Sequence, residues 1–192
     1  MRHSRLSLIV SIAILCLLST SLAFAAAGSA SGCTSIAVDR VTSVVDESRL
    51  TPLQGNLHPM ARAEFDQGKV SDDFPMEHII MLLKRSPEQE TALETRIDQM
   101  HNQRSPLFQQ WLGADQVGSC YGVADADIAN VSGWLQKHGF TVDSVSASKM
   151  MLIFTGTAGQ VREAFHTEMH HLNVHGEKHI ANMSAPQVPA AL

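Results

Sequence analysis

Cysteine is scarce in this chain of 192 residues: three in all, with no Cys-x-x-Cys pair, so neither a disulfide scaffold nor a zinc or dithiol redox motif is encoded. Aromatic residues are few as well, at 5%. Basic charge is short: 14 Lys and Arg stand against 19 Asp and Glu, and the longest basic run is Lys84-Arg85. A net charge of -5 argues against sequence-independent binding to nucleic acid, which rests on cations neutralising phosphates. The motif search is equally bare. The chain has no Gly-x-Ser-x-Gly elbow, Walker loop, Gly-x-Gly-x-x-Gly, His-Glu-x-x-His or EF-hand loop. The length fits one globular domain with a tail and excludes a large multidomain enzyme.

What is present begins with an export signal. Arg2 and Arg5 precede an apolar stretch from Leu6 to Leu18, and small residues follow to Ala23-Phe24-Ala25, so residues 1–27 read as a signal peptide cleaved near Ala25. The apolar run is too short for a spanning helix, which needs about 20 residues. The expected localisation is secreted, extracellular or periplasmic, with no membrane association once the signal is removed. Loss of Arg2, Arg5 and His3 leaves 12 cationic against 19 anionic side chains, a net -7, with nine histidines. Histidine protonation near pH 6.5 then moves the surface towards positive charge in acid. Cys33 and Cys120 are free to pair in an oxidising compartment, but sequence does not decide it.

Residues 28–75, rich in Ser, Gly, Pro, Asp and Asn, read as an extended lead-in. Met76 to Lys84 is a continuous apolar run that predicts a strand buried on both faces. Ser86-Pro87-Glu88-Gln89 has the form of a capping box with proline in the first turn, and a helix follows with Ala92, Leu93, Ile97 and Met100 on one stripe. Ser105 to Leu112 predicts a short helix with Trp111 as a core anchor, followed by a turn through Val117 to Tyr121. A helix opens at Asp125, buries Ile128, Val131, Trp134 and Leu135, and stops at Gly139. Phe140 to Ser146 and Met150 to Thr155 form a hairpin. Thr157 to Gln160 caps a two-turn helix ending near His166. Strands follow at Glu168 to Val174 and Lys178 to Asn182, and Ser184 to Pro189 is an extended exit. The order gives an α+β, ferredoxin-like (split βαβ) antiparallel sheet with helices on one face. Its expected divisions are 1–27, 28–75, 76–184 and 185–192.

The one cluster with chemical potential is His166, His170, His171, His175 and His179. Adjacent strand residues point to opposite faces, so a converging metal site is disfavoured against a solvated, histidine-rich sheet edge or a pH-responsive surface. Glu77, Glu163 and Glu168 sit at element ends or on helix surfaces and form no catalytic pair. Met76, Met81, Met150 and Met151 read as adaptable core rather than a cofactor box. No catalytic, metal or cofactor-binding residue is expected.

Several segments together resemble the activation prodomain (pro-kumamolisin type) of the sedolisin, or serine-carboxyl, peptidases. They are Leu83-Lys84-Arg85-Ser86, Ser105-Pro106 with Trp111-Leu112, Asp127-Ile128 with Trp134-Leu135, His138-Gly139-Phe140, Phe154-Thr155-Gly156-Thr157-Ala158, Ala164-Phe165-His166-Thr167, and Ala181-Asn182 with Pro186 to Leu192. Gly55 to Arg62 resembles the bacterial branch. Departures are Gly113 where that family commonly has Thr, Val117 where Phe is usual, and Cys120-Tyr121 in place of a Phe-containing pair. The family's Gly-Thr-Ser nucleophile, Glu base, Asp residues and calcium site have no matching position, and Gly156-Thr157-Ala158 belongs to the prodomain pattern. The resemblance implies a propeptide-inhibitor-like fold and a secreted folding aid and temporary inhibitor of a sedolisin-type catalytic domain, with no hydrolysis of its own. Calcium would belong to that catalytic domain, towards whose cleft the C-terminal segment leads. Two other readings stay open: a truncated precursor of a secreted endopeptidase, and a free-standing module binding a metal or another ligand.

Overall fold

A computed structural model describes residues 36–192; the export signal, its cleavage point near Ala25 and Cys33 lie outside the described residues. In chain order the elements are β1 (Leu50–Pro52), β2 (Asp66–Lys69), β3 (Pro75–Leu82), α1 (Pro87–His101), α2 (Ala114–Tyr121), α3 (Asp125–Lys137), β4 (Thr141–Val145), β5 (Met151–Thr157), α4 (Ala158–Phe165), β6 (Met169–Val174), β7 (Glu177–Asn182) and β8 (Gln187–Pro189). The class is α+β, with every strand pair antiparallel.

Local chemistry accounts for the helix starts. The Ser86 hydroxyl accepts from the Gln89 N–H while the Gln89 side chain accepts from the Ser86 N–H, and Thr157 with Gln160 repeats the arrangement at α4. Gln89 is itself buried because its amide donates to the Gly122 carbonyl at 2.6 Å. The start of α2 has no side-chain cap: Gly113 supplies none where the related pattern has Thr. Helix α3 ends as expected, with Gly139 at φ +84°, a conformation that costs glycine nothing.

Three ladders carry the strands, in the orders β3-β5-β4, β2-β6-β7 and β1-β8. The first reproduces three strands of a split βαβ sheet; β6, the expected fourth, is instead hydrogen-bonded into the second ladder. Helices α3 and α4 lie on the inner face of β3-β5-β4, where Val131, Trp134, Leu135, Phe140, Leu152, Phe154, Val161, Ala164 and Phe165 form the core. Its centre is aromatic: ring centroids of Trp134 and Phe165 are 5.3 Å apart, and those of Phe140 and Phe154 5.2 Å, both edge-on. Cys120 is disulfide-bonded.

Four expectations are corrected. The strand at Met76 to Lys84 is covered on one face only, where Met76, Ile79, Met81 and Leu83 are half-buried against the core, because both helices packed on that sheet occupy the same side. Residues 105–112 form turns rather than a helix, with Gln109 at φ +59° breaking the path. Trp111 is no core anchor: it is 58% exposed and touches the ring of His101 edge-on at 5.2 Å. In α1, Met100 is buried but Ile97 is 40% exposed, so the apolar stripe is only partly covered.

Candidate functional site

The inner residues of β5, Leu152 and Phe154, are fully buried, so the alternation of a strand sends Met151, Ile153 and Thr155 to the outer face. The register places Ile80 opposite Ile153 and Leu82 opposite Met151 on that same side. A bulge with His78 at φ +54° sets this phase, putting Ile79 and Met81 against the core and Ile80 and Leu82 in solvent. Ile80 is 57% and Leu82 77% exposed. The result is an apolar patch spanning two strands and backed by a rigid core, the kind of surface that marks a protein contact. Sequence reading missed it because the continuous run Ile79 to Leu83 conceals which residues face outward.

The five histidines do not converge. His166 ends α4 in the left-handed conformation, at φ +52°, and lines an open recess of about 460 Å³ with Arg162, Thr167, Glu168, Met183 and Ser184. His170 Nδ1 lies 2.8 Å from Asp66 Oδ1. The Gly68 N–H first, and His170 second, hold the Asp66 carboxyl below its ordinary pKa. His171 and His175 set their rings against Phe74 and Phe65, while His179 lies 3.6 Å from Glu177. Among the described residues no group of three or more His, Cys, Asp or Glu is arranged to hold a metal ion. Nor is any described helix long and apolar enough to cross a membrane.

The other positions singled out in sequence are structural. Trp134, Phe140 and Phe165 build the aromatic core, and Gly156 leaves room for it: a Cβ there would lie 2.4 Å from Phe140 Cδ1 and 2.6 Å from Gln160 Oε1. Gly139 turns the chain, and Leu112 is half-buried beside exposed Trp111. The Asn182 amide donates to the carbonyls of Asn56 at 2.7 Å and Ser184 at 2.8 Å, tying the lead-in to the exit.

The exit itself is held down. Strand β8 pairs with β1, Ala190 N–H donates to the Arg49 carbonyl at 2.7 Å, Leu53 N–H donates to the Pro186 carbonyl at 2.7 Å, and Val188 and Leu192 pack on the core.

Comparison with known proteins matches residues 66–192 to a family model described as "Pro-kumamolisin, activation domain". The chain is 28% identical over 120 residues to xanthomonalisin of Xanthomonas sp. (strain T-22), covering 62% of this chain and 14% of that protein. It is 29% identical over 116 residues to sedolisin of Pseudomonas sp. (strain 101), covering 60% of this chain and 19% of that protein. The chain therefore spans less than a fifth of the length of either relative.

Proposed function

The chain belongs to the pro-kumamolisin activation domain family, and from that membership we propose that it is the exported prodomain of a sedolisin-type serine endopeptidase. In this reading it docks on the catalytic domain, assists its folding and inhibits it until acid releases the contact. The observation that carries the proposal is the open face of β3 and β5, where Ile80 and Leu82 stand in solvent beside Ile153 and Met151. A rigid apolar sheet face suits a preformed partner surface, because little side-chain ordering is needed on binding. Hydrolysis belongs to the partner, which supplies the nucleophile, the base and the calcium site. Export to the extracellular or periplasmic space follows from the signal-like residues 1–27.

Acid release has an electrostatic basis in the chain's own composition. The mature surface carries a net -7 with histidine neutral, and protonating nine histidines and then carboxylates reverses the sign. An interface matched at neutral pH then meets like charge, which costs several kcal/mol in unfavourable cases. Coverage of only 14% and 19% of the two relatives favours a second reading, in which the domain acts in cis at the head of a longer precursor.

The test is titration of the chain into a sedolisin-type peptidase encoded by the same organism, at pH 7 and at pH 4. Inhibition at pH 7 that weakens about tenfold or more at pH 4 is expected. No inhibition at either pH overturns the prodomain reading, and equal inhibition at both overturns the release mechanism alone.

A further inference from the structure

Residues 36–53 precede the matched family region and run across the domain as a strap, attached at successive points. The Ile36 N–H donates to the Cys120 carbonyl at 3.2 Å. Next, the backbone N–H groups of Arg40 and Val41 donate to the carboxylate of Asp127 at 2.9 to 3.0 Å. Asp127 is a buried residue in the first turn of α3, and an acceptor of this kind fixes two successive peptide units in place. The Arg40 guanidinium donates to the Lys84 carbonyl at 3.0 Å. Val45 packs on the core. Glu47 then reaches the end of α3, 2.9 Å from Lys137 Nζ and 3.3 Å from His138 Nε2. Three residues later the strap becomes β1 and pairs with the exit strand.

Among the described residues, the exit segment's backbone bonds to the rest of the domain all run to the strap, and its other holds are apolar. Its backbone bonds run from Ala190 to Arg49, from Leu53 to Pro186 and through the β1–β8 ladder, and fully buried Pro189 with Val188 and Leu192 supplies the apolar contact. An isolated strand of three residues is not stable in water without a partner. We propose that residues 36–53 form a clasp that keeps residues 186–192 on the domain. Opening the clasp, rather than unfolding the domain, frees that segment and the strand edge that β1 covers. The idea rests on the prodomain reading for its purpose, since a segment directed to a partner's cleft must first leave β1. Its physical content is independent of any peptidase.

The experiment is native-state amide hydrogen exchange of the full chain, oxidised and at neutral pH, with residues 36–53, 186–192 and β5 followed separately. Glu47→Lys sets a cation against Lys137 and His138 at a half-buried position. Asp127→Asn replaces one acceptor oxygen with a donor facing two N–H groups. Each variant should speed exchange of 36–53 and 186–192 together, about threefold to tenfold for Glu47→Lys and more for Asp127→Asn, while β5 keeps its rate. If residues 186–192 retain the wild-type rate in both variants, the core alone holds the exit and the clasp is refuted. If Asp127→Asn also accelerates β5, the domain has unfolded and Glu47→Lys alone decides. Because no peptidase is present, the result stands whether or not the chain proves to be an inhibitor.

Discussion

At the scale of single residues, the two tryptophans look equivalent in sequence and differ in the fold. Trp134 is 4% exposed, with its ring set edge-on against Phe165, whereas Trp111 is 58% exposed and meets the ring of His101. Truncating a buried tryptophan removes transfer energy and leaves a cavity, so Trp134→Ala should cost about 3–5 kcal/mol. Trp111→Ala should cost less than about 1 kcal/mol. Urea unfolding of both variants checks the contrast. A loss at Trp111 equal to that at Trp134 would return Trp111 to the core.

At the scale of elements, a face of a strand matters more than any one side chain. Ile80→Ser and Leu82→Ser lie on the outer side of β3, so each should change stability by less than about 1 kcal/mol by urea unfolding. Ile79→Ser, one residue away and packed on the core, should cost more. Similar costs for Ile79 and Ile80 would mean that the register is wrong. Much of this level was legible in advance, since capping boxes and apolar spacing are local signals: both boxes, the α3 stripe and the β4–β5 hairpin stand as the residues indicate. The misses have a common cause. Which side of β3 is covered depends on where α3 and α4 land, and the bulge at His78 has no distinctive composition. Strands β1 and β2 carry no local signal of pairing, because their partners, β8 and β6, lie more than 100 residues away. The grip of Asp127 and Glu47 on the rest of the fold carries no local signal, because their partners lie 87 and 90 residues away in sequence.

At the scale of the whole molecule, charge governs behaviour in acid. Asp72 is held below its ordinary pKa of 3.8, first by Lys69 and then by Arg162, and Glu47 below 4.5, chiefly by Lys137. A carboxyl with a depressed folded pKa stabilises the native state fully above its unfolded value, and loses that contribution as pH falls through the folded one. The stability difference between the wild type and Asp72→Asn should therefore be constant from neutral pH down to about 5 and shrink below 3.8. A difference independent of pH would contradict the ion-pair assignment. This loss lies well below the range where histidine changes the surface charge, so release from a partner can precede unfolding of the domain. The open β3–β5 face is what joins fold to function in this account. The decisive measurement is the inhibition constant at pH 7 against a sedolisin-type peptidase, compared between the wild type and Leu82→Asp. The account predicts that a charge on the apolar face weakens inhibition about a hundredfold while the domain stays folded; unchanged inhibition by a folded Leu82→Asp chain would show that the partner binds elsewhere.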